Sequence, residues 1–213
     1  MHELESLTAP GLRRLLDRDV TTVIVPFGSI EQHGGHLPLG TDALLADIIG
    51  REVAVRLDAV LAPTVRIGYA EQHVHLTGTL SLRAATLTDL AFDVGASMAK
   101  HGFTVIAFVS THGGNAGPLD AAVERVNTAL DGVVACAPQG DVGPRPGSHS
   151  GEWLTSVMLA LRPELVQIQA ATRDLAGELR AASSERGEIH VERFVDAIVD
   201  GVRTAAGSRG LRR

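Results

Sequence analysis

A three-layer α/β/α sandwich built on a mostly parallel central sheet is the fold class that the sequence predicts. Apolar β-rich runs alternate with stretches of helical period, and Thr104-Val105-Ile106-Ala107-Phe108-Val109 is apolar enough to be a central strand buried on both faces. Such alternation implies right-handed βαβ crossovers. In chain order, Thr21 to Phe27 reads as a strand and Ala43 to Leu57 as a helix, then Ala59 to Val65 as a strand and Thr88 to Lys100 as a helix capped by Thr86 or Thr88. The central strand follows, then a helix from Pro118 to Leu130 and a fourth strand from Val133 to Ala137. Pro138 to Gly151, rich in glycine and proline, is a long loop of the kind that carries function. Glu188 to Ala206 reads as a C-terminal helix, and Gly207 to Arg213 as a frayed basic tail.

Composition narrows the class. With 213 residues and 45% hydrophobic content the chain is expected to form a single domain over residues 1–213. A formal charge of −6, with its Lys and Arg scattered, gives no reason to bind nucleic acid. Cys136, the sole cysteine, sits in an apolar run, which excludes an internal disulfide and points to a buried thiol in a reducing compartment. No basic and apolar leader is present at the start, and no apolar stretch reaches the ~18 residues that span a bilayer, so a soluble cytoplasmic protein without membrane contact is expected.

Chemistry concentrates in three segments. The first, Glu31-Gln32-His33-Gly34-Gly35-His36-Leu37-Pro38-Leu39-Gly40-Thr41-Asp42, follows the first strand and places two carboxylates and two imidazoles within twelve residues. Glu31 and His33, two apart, project to one side of an extended segment, and Asp42 sits in a helical first turn that favours its ionised form. The second, His112-Gly113-Gly114-Asn115, ends the central strand, and its glycines allow close approach of backbone or substrate. The third, His149-Ser150-Gly151-Glu152-Trp153, opens a helix with His149 and Glu152 on one face. This donor set suits Zn, Mn or Fe, with two ions sharing Asp42.

Plainer readings exist for each residue. Asp42 alone reads as a helix cap, His112 as a loop histidine and Glu152 as a first-turn carboxylate. His36 reads as a group that orients a ligand, while His73 and His75 either line the substrate pocket or cover the sheet. Trp153 is equally a core anchor and a substrate platform. Gly147-Ser148-His149-Ser150-Gly151 resembles a nucleophile elbow, but its central residue is His149 rather than serine, which rejects a serine hydrolase. No His-Glu-x-x-His occurs, which excludes a zincin.

The three ordered motifs, spanning about Val23 to Leu161 with Gly68-Tyr69 and Gly78-Thr79-Leu80-Ser81-Leu82 between them, resemble the creatininase family of metal-dependent amidohydrolases. The resemblance implies an α/β/α fold, two divalent ions with a bridging water, cleavage of a C–N bond and frequent hexameric assembly. Glu31, Asp42 and His112 would hold one ion, and His33, Asp42 and a glutamate the other. Creatininase takes that glutamate from the position of Gly114, so Glu152 must supply it here. His149 would carry a proton to the departing nitrogen, Asn115 would stabilise the oxyanion or orient a ligand, and His73, Trp153, Gly113 and Gly114 would line the substrate. The loop Asp141 to Pro146 lacks the tryptophans that close the creatininase site, and Leu154 stands where a second glutamate often follows. Creatinine itself is therefore not the expected substrate. Arg145 and the low aromatic content suit a small polar or anionic molecule, and a short peptide, as in the peptidase that trims the mycofactocin precursor, stays open. A metal-binding scaffold without catalysis is the competing class.

Overall fold

The computed structural model describes residues 2–143 and 149–208. Five parallel strands, β1 (His2–Glu3), β2 (Thr22–Phe27), β3 (Val60–Leu61), β4 (Val105–Ser110) and β5 (Val134–Cys136), form one sheet in the order β1-β3-β2-β4-β5. Seven α-helices accompany them among the described residues: α1 (Ala9–Leu16), α2 (Thr41–Arg56), α3 (Ala84–His101), α4 (Ala116–Ala129), α5 (Glu152–Leu161), α6 (Ala176–Leu179) and α7 (Ser184–Ser208). The predicted α/β/α sandwich is what the chain forms.

Side-chain alternation along the central strands builds the three layers. Val23, Val25 and Phe27 of β2 and Ile106 and Phe108 of β4 face one core with Leu87 of α3 and Leu119 and Val126 of α4. Ile24, Val105, Ala107 and Val109 face the other, against Ile49 and Val53 of α2 and Phe194, Val195 and Ile198 of α7. Phe27 and Phe108 meet edge to face, with centroids 5.7 Å apart. Because both faces of β4 are covered, its run is apolar throughout rather than alternating.

Several boundaries differ from those the pattern predicts. The strand expected from Ala59 to Val65 is regular only at Val60–Leu61, because Pro63 has no N–H for the ladder; contact with β2 resumes as a bridge between Phe27 and Val65. Helix α3 starts at Ala84 with no side-chain cap, and Thr88 instead donates its hydroxyl hydrogen to Pro118 O at 3.0 Å. Helix α7 begins four residues before Glu188. The short edge strand β1 and helix α1, which opens on a Thr8 side chain accepting from Gly11 N–H, are not foreseen. Arg145 and most of the basic tail lie outside the described residues.

From β2 the chain crosses to β3 on one side, and from β4 to β5 on the other, so the connections diverge between β2 and β4. A crevice at the carboxyl ends of such strands is where open α/β sheets place ligands. Register sets Phe27 opposite Ser110, so the segments after β2 and β4 leave the sheet side by side.

Cys136 ends β5 against the second core, and burial pushes its thiol up to about 12. At pH 8 roughly one thiol in 10⁴ is then ionised. The native protein is expected to resist iodoacetamide at pH 8 and to react once unfolded in urea. Because the folded value lies above the ordinary 9.0, this thiol's contribution to stability is intact below pH 9 and is lost as pH rises toward 12. Fast labelling of folded protein at pH 8 contradicts this.

Candidate metal centre

The segment after β2 folds back on itself so that Glu31, His33 and His36 are all buried. Glu31 N–H donates to Leu39 O at 2.8 Å, and His33 donates from Nδ1 to Glu31 O at 2.9 Å, leaving its Nε2 3.4 Å from Asp42 Oδ1. Asp42, in the first turn of α2, is 3% exposed and points back at the sheet end, so it does not act as a cap. His112, one residue past Thr111 at the end of β4, brings Nδ1 to 3.0 Å from Glu31 Oε2 and 3.1 Å from Asp42 Oδ2.

Glu31, Asp42 and His112 thus converge, all three buried, with their donor atoms close enough to share one ion. Asp42 Oδ2 accepts no hydrogen bond of acceptable geometry although it is inaccessible to solvent. Burial opposes its charge, yet the imidazoles of His112 and His33 beside it hold its carboxyl down at about 2. Burial also opposes charging of His33 and His112, but Asp42 beside them pulls both upward. A buried carboxylate oxygen that lacks a partner, set among borderline nitrogen and hard oxygen donors, fits a divalent transition metal.

His73 and His149 complete the floor on the other side of Glu31. Nδ1 of His73 donates to Glu31 Oε1, and Nε2 of His149 donates to Gln32 O at 2.8 Å while lying 3.4 Å from the same carboxylate oxygen. The His149 ring stacks on His33 at 4.7 Å and tilts against His73 at 4.4 Å. Glu31, His73 and His149 are also close enough for an ion. The two rings, however, spend these nitrogens as donors, His73 to Glu31 and His149 to a backbone carbonyl, so His73 reads as the hydrogen-bonding hold on Glu31 and His149 as its neighbour. Burial pushes the His149 pKa down, and the charge of His33 adds to this against the bond to Gln32 O. A cavity of about 500 Å³ opens beside His149, lined in part by Gln32, Ser150, Thr172 and Asp174.

Other predicted residues lie elsewhere. Glu152 is in neither group of clustered donors. Its carboxylate accepts from Arg186 Nε at 2.7 Å and Ser156 Oγ at 2.8 Å, with His190 Nε2 at 3.4 Å, and Arg186 holds it down at about 2. The first turn of α5 faces α7, and a guanidinium there captures the carboxylate meant for the second ion. Glu152→Gln is therefore expected to keep the metal at Glu31, Asp42 and His112 and to cost at most about 1 kcal/mol in thermal unfolding, since Arg186 is 52% exposed. Metal content measured beside the melt checks both halves.

Asn115 is fully buried, and its amide is spent on Tyr69 N–H, Gly28 O and Ser110 Oγ. Trp153 packs on His190 and Phe194 of α7, as a core anchor. His36 pairs Nε2 with Thr155 Oγ1 at 3.0 Å and contacts no clustered donor through a hydrogen bond; it ties the first segment to α5. Gly113 faces open space, whereas Gly114 lies against Tyr69 O and the His112 ring. The part of His73 in holding Glu31 and that of the Tyr69 carbonyl were not read from the sequence. Only the Gly68-Tyr69 pair within the family resemblance hinted at the latter.

A creatininase family model, described as creatinine amidohydrolase, matches residues 5–202. The chain belongs to the creatininase family. Within that family it is 36% identical over 156 residues to the mycofactocin precursor peptide peptidase of Mycobacterium ulcerans, covering 68% of this chain and 60% of the relative. The chain thus spans about three fifths of the length of the curated peptidases it matches. Creatinine amidohydrolase of Pseudomonas putida is 28% identical over 229 residues, covering 85% of this chain and 88% of that one. A creatininase structure of the Zn–Zn type superposes with a TM-score of 0.78 at 25% identity, covering 95% and 97%. Among the described residues, no helix of this creatininase family member is long and apolar enough to cross a membrane.

Proposed function

We propose that this chain, as one catalytic domain, is a metal-dependent amidohydrolase that cleaves a C–N bond of a small polar molecule. The observation that carries the reading is the buried triangle of Glu31 Oε2, Asp42 Oδ2 and His112 Nδ1, one of whose carboxylate oxygens has no hydrogen bond. Those three would hold one ion and His33 with Asp42 Oδ1 a second, drawn from Zn, Mn or Fe. When bound, such ions supply Lewis acidity toward a scissile carbonyl and lower the pKa of water.

The remaining steps belong to the protein. His73 holds Glu31 Oε1, which leaves Oε2 turned toward His112. His149, 39% exposed on its side chain at the cavity edge, is the group a substrate reaches, and it would carry a proton to the departing nitrogen. A short peptide is a second substrate reading, favoured by the 36% identity to a peptide peptidase. Cytoplasmic location and homo-oligomeric assembly, a hexamer in the expected form, go with this proposal.

The test is metal content per chain by elemental mass spectrometry on protein purified without chelators, followed by hydrolysis screens of cyclic amides, formamides and short peptides. Bound transition metal with chelator-sensitive hydrolysis supports the proposal. No metal, and none regained with Zn, Mn or Fe, refutes it.

A further inference from the structure

Resting on His112 as a ligand, we propose that Asn115 is a positioning residue: through the backbone of Tyr69 it fixes which nitrogen of His112 faces the metal. A carbonyl oxygen only accepts hydrogen bonds, and His112 Nε2 lies 3.0 Å from Tyr69 O, so Nε2 carries a proton and is turned away from the carboxylates. Nδ1 is then the nitrogen set between Glu31 Oε2 and Asp42 Oδ2, and the one whose proton a metal ion would replace.

Tyr69 is itself held by Asn115, whose Oδ1 accepts the Tyr69 N–H at 2.9 Å. The amide cannot flip, because Nδ2 donates to Gly28 O at 3.0 Å and to Ser110 Oγ at 3.2 Å. Ser110 Oγ in turn donates to His112 O at 2.9 Å, and Asn115 N–H reaches the same oxygen at 3.2 Å. The circuit therefore closes on the residue it orients, and it ties the ends of β2 and β4 to the segment before α3.

Two glycines are required by this circuit. A Cβ on Gly68 would overlap the Asn115 amide and stand 2.6 Å from Gly28 O, and one on Gly114 would overlap both Tyr69 O and His112 Nε2. Position 114 thus faces the far side of the ring from Nδ1. Its lack of a side chain serves the histidine rather than the substrate.

The test reads the ring directly. On full-length protein loaded with Zn, long-range ¹H–¹⁵N correlation shows which ring nitrogen of His112 keeps its proton, and Zn affinity is measured against a chromophoric chelator. The expected result is Nε2–H in the wild type, a tautomer mixture in Asn115→Ala, and a 10- to 100-fold weaker Zn affinity, the range about which outer partners of ligands act. Asn115→Asp, which keeps the acceptor for Tyr69 N–H, recovers part of both. Ile198→Ala, a fully buried change on α7, lowers thermal stability and leaves tautomer and affinity unchanged.

A wild-type proton on Nδ1 overturns the proposal without any variant, and Asn115→Asp decides if Asn115→Ala does not fold. Equal affinity losses in Asn115→Ala and Ile198→Ala also overturn it. A protein that never binds Zn, Mn or Fe overturns the metal centre and this proposal together. Loss of the tautomer with Zn affinity intact overturns this proposal alone.

Discussion

Asp42→Ala is expected to lose more than about 100-fold in metal affinity, beyond the range set by partners that only support a ligand. Asp42 is the one carboxylate within reach of both His33 and His112, through different oxygens, so its removal strips both candidate positions at once. A second consequence follows for the metal-free protein. Breaking a buried charge pair costs about 3 to 5 kcal/mol, because the partners stay behind in low dielectric. Elemental analysis and thermal unfolding in chelator are therefore expected to move together. Asp42→Asn, which keeps the shape and one carbonyl oxygen, is expected to fall between. Wild-type metal content in Asp42→Ala would remove the shared carboxylate from the centre.

His149→Ala is expected to separate binding from turnover. His149 sits beside Glu31 but spends Nε2 on Gln32 O, so both metal positions should load as in the wild type. Turnover is expected to drop by about 10² to 10⁴, the usual worth of a positioned proton carrier. A ring that first takes up the proton it then delivers must start neutral, and burial lowers its pKa below the ordinary 6.5, so the wild-type acid limb should fall below that value and vanish in the variant. Metal per chain, kcat and the pH profile of kcat/KM together check this. A fully active His149→Ala, or one that loses its metal, removes the proton-transfer role.

Much of the site was legible before any fold. Glu31, His33, Asp42 and His112 announce themselves because ligand-type residues cluster at the end of an apolar strand, and the geometry brings those four together. Glu152 was legible only as a residue type in a first turn. Its direction depends on Arg186, thirty-four positions away on a helix whose packing against α5 no local spacing encodes. The surroundings of Asn115 and Trp153 were not legible for the same reason: long-range partners take the amide, and α7 packs on the indole.

What the sequence determined by itself is local and periodic. Alternation of apolar runs set the α/β class, and the both-face apolar run of β4 marked the centre of the sheet. Tertiary structure alone decided the rest: strand order, which puts the divergence of connections between β2 and β4; the register of Phe27 with Ser110, which aligns the two ligand segments; and the partner of each polar side chain. Spacing along a chain fixes which face a residue takes, but a carboxylate's partner is fixed by which donor lies nearest after burial. For Glu152 that choice brings in Arg186 from a helix thirty-four positions away.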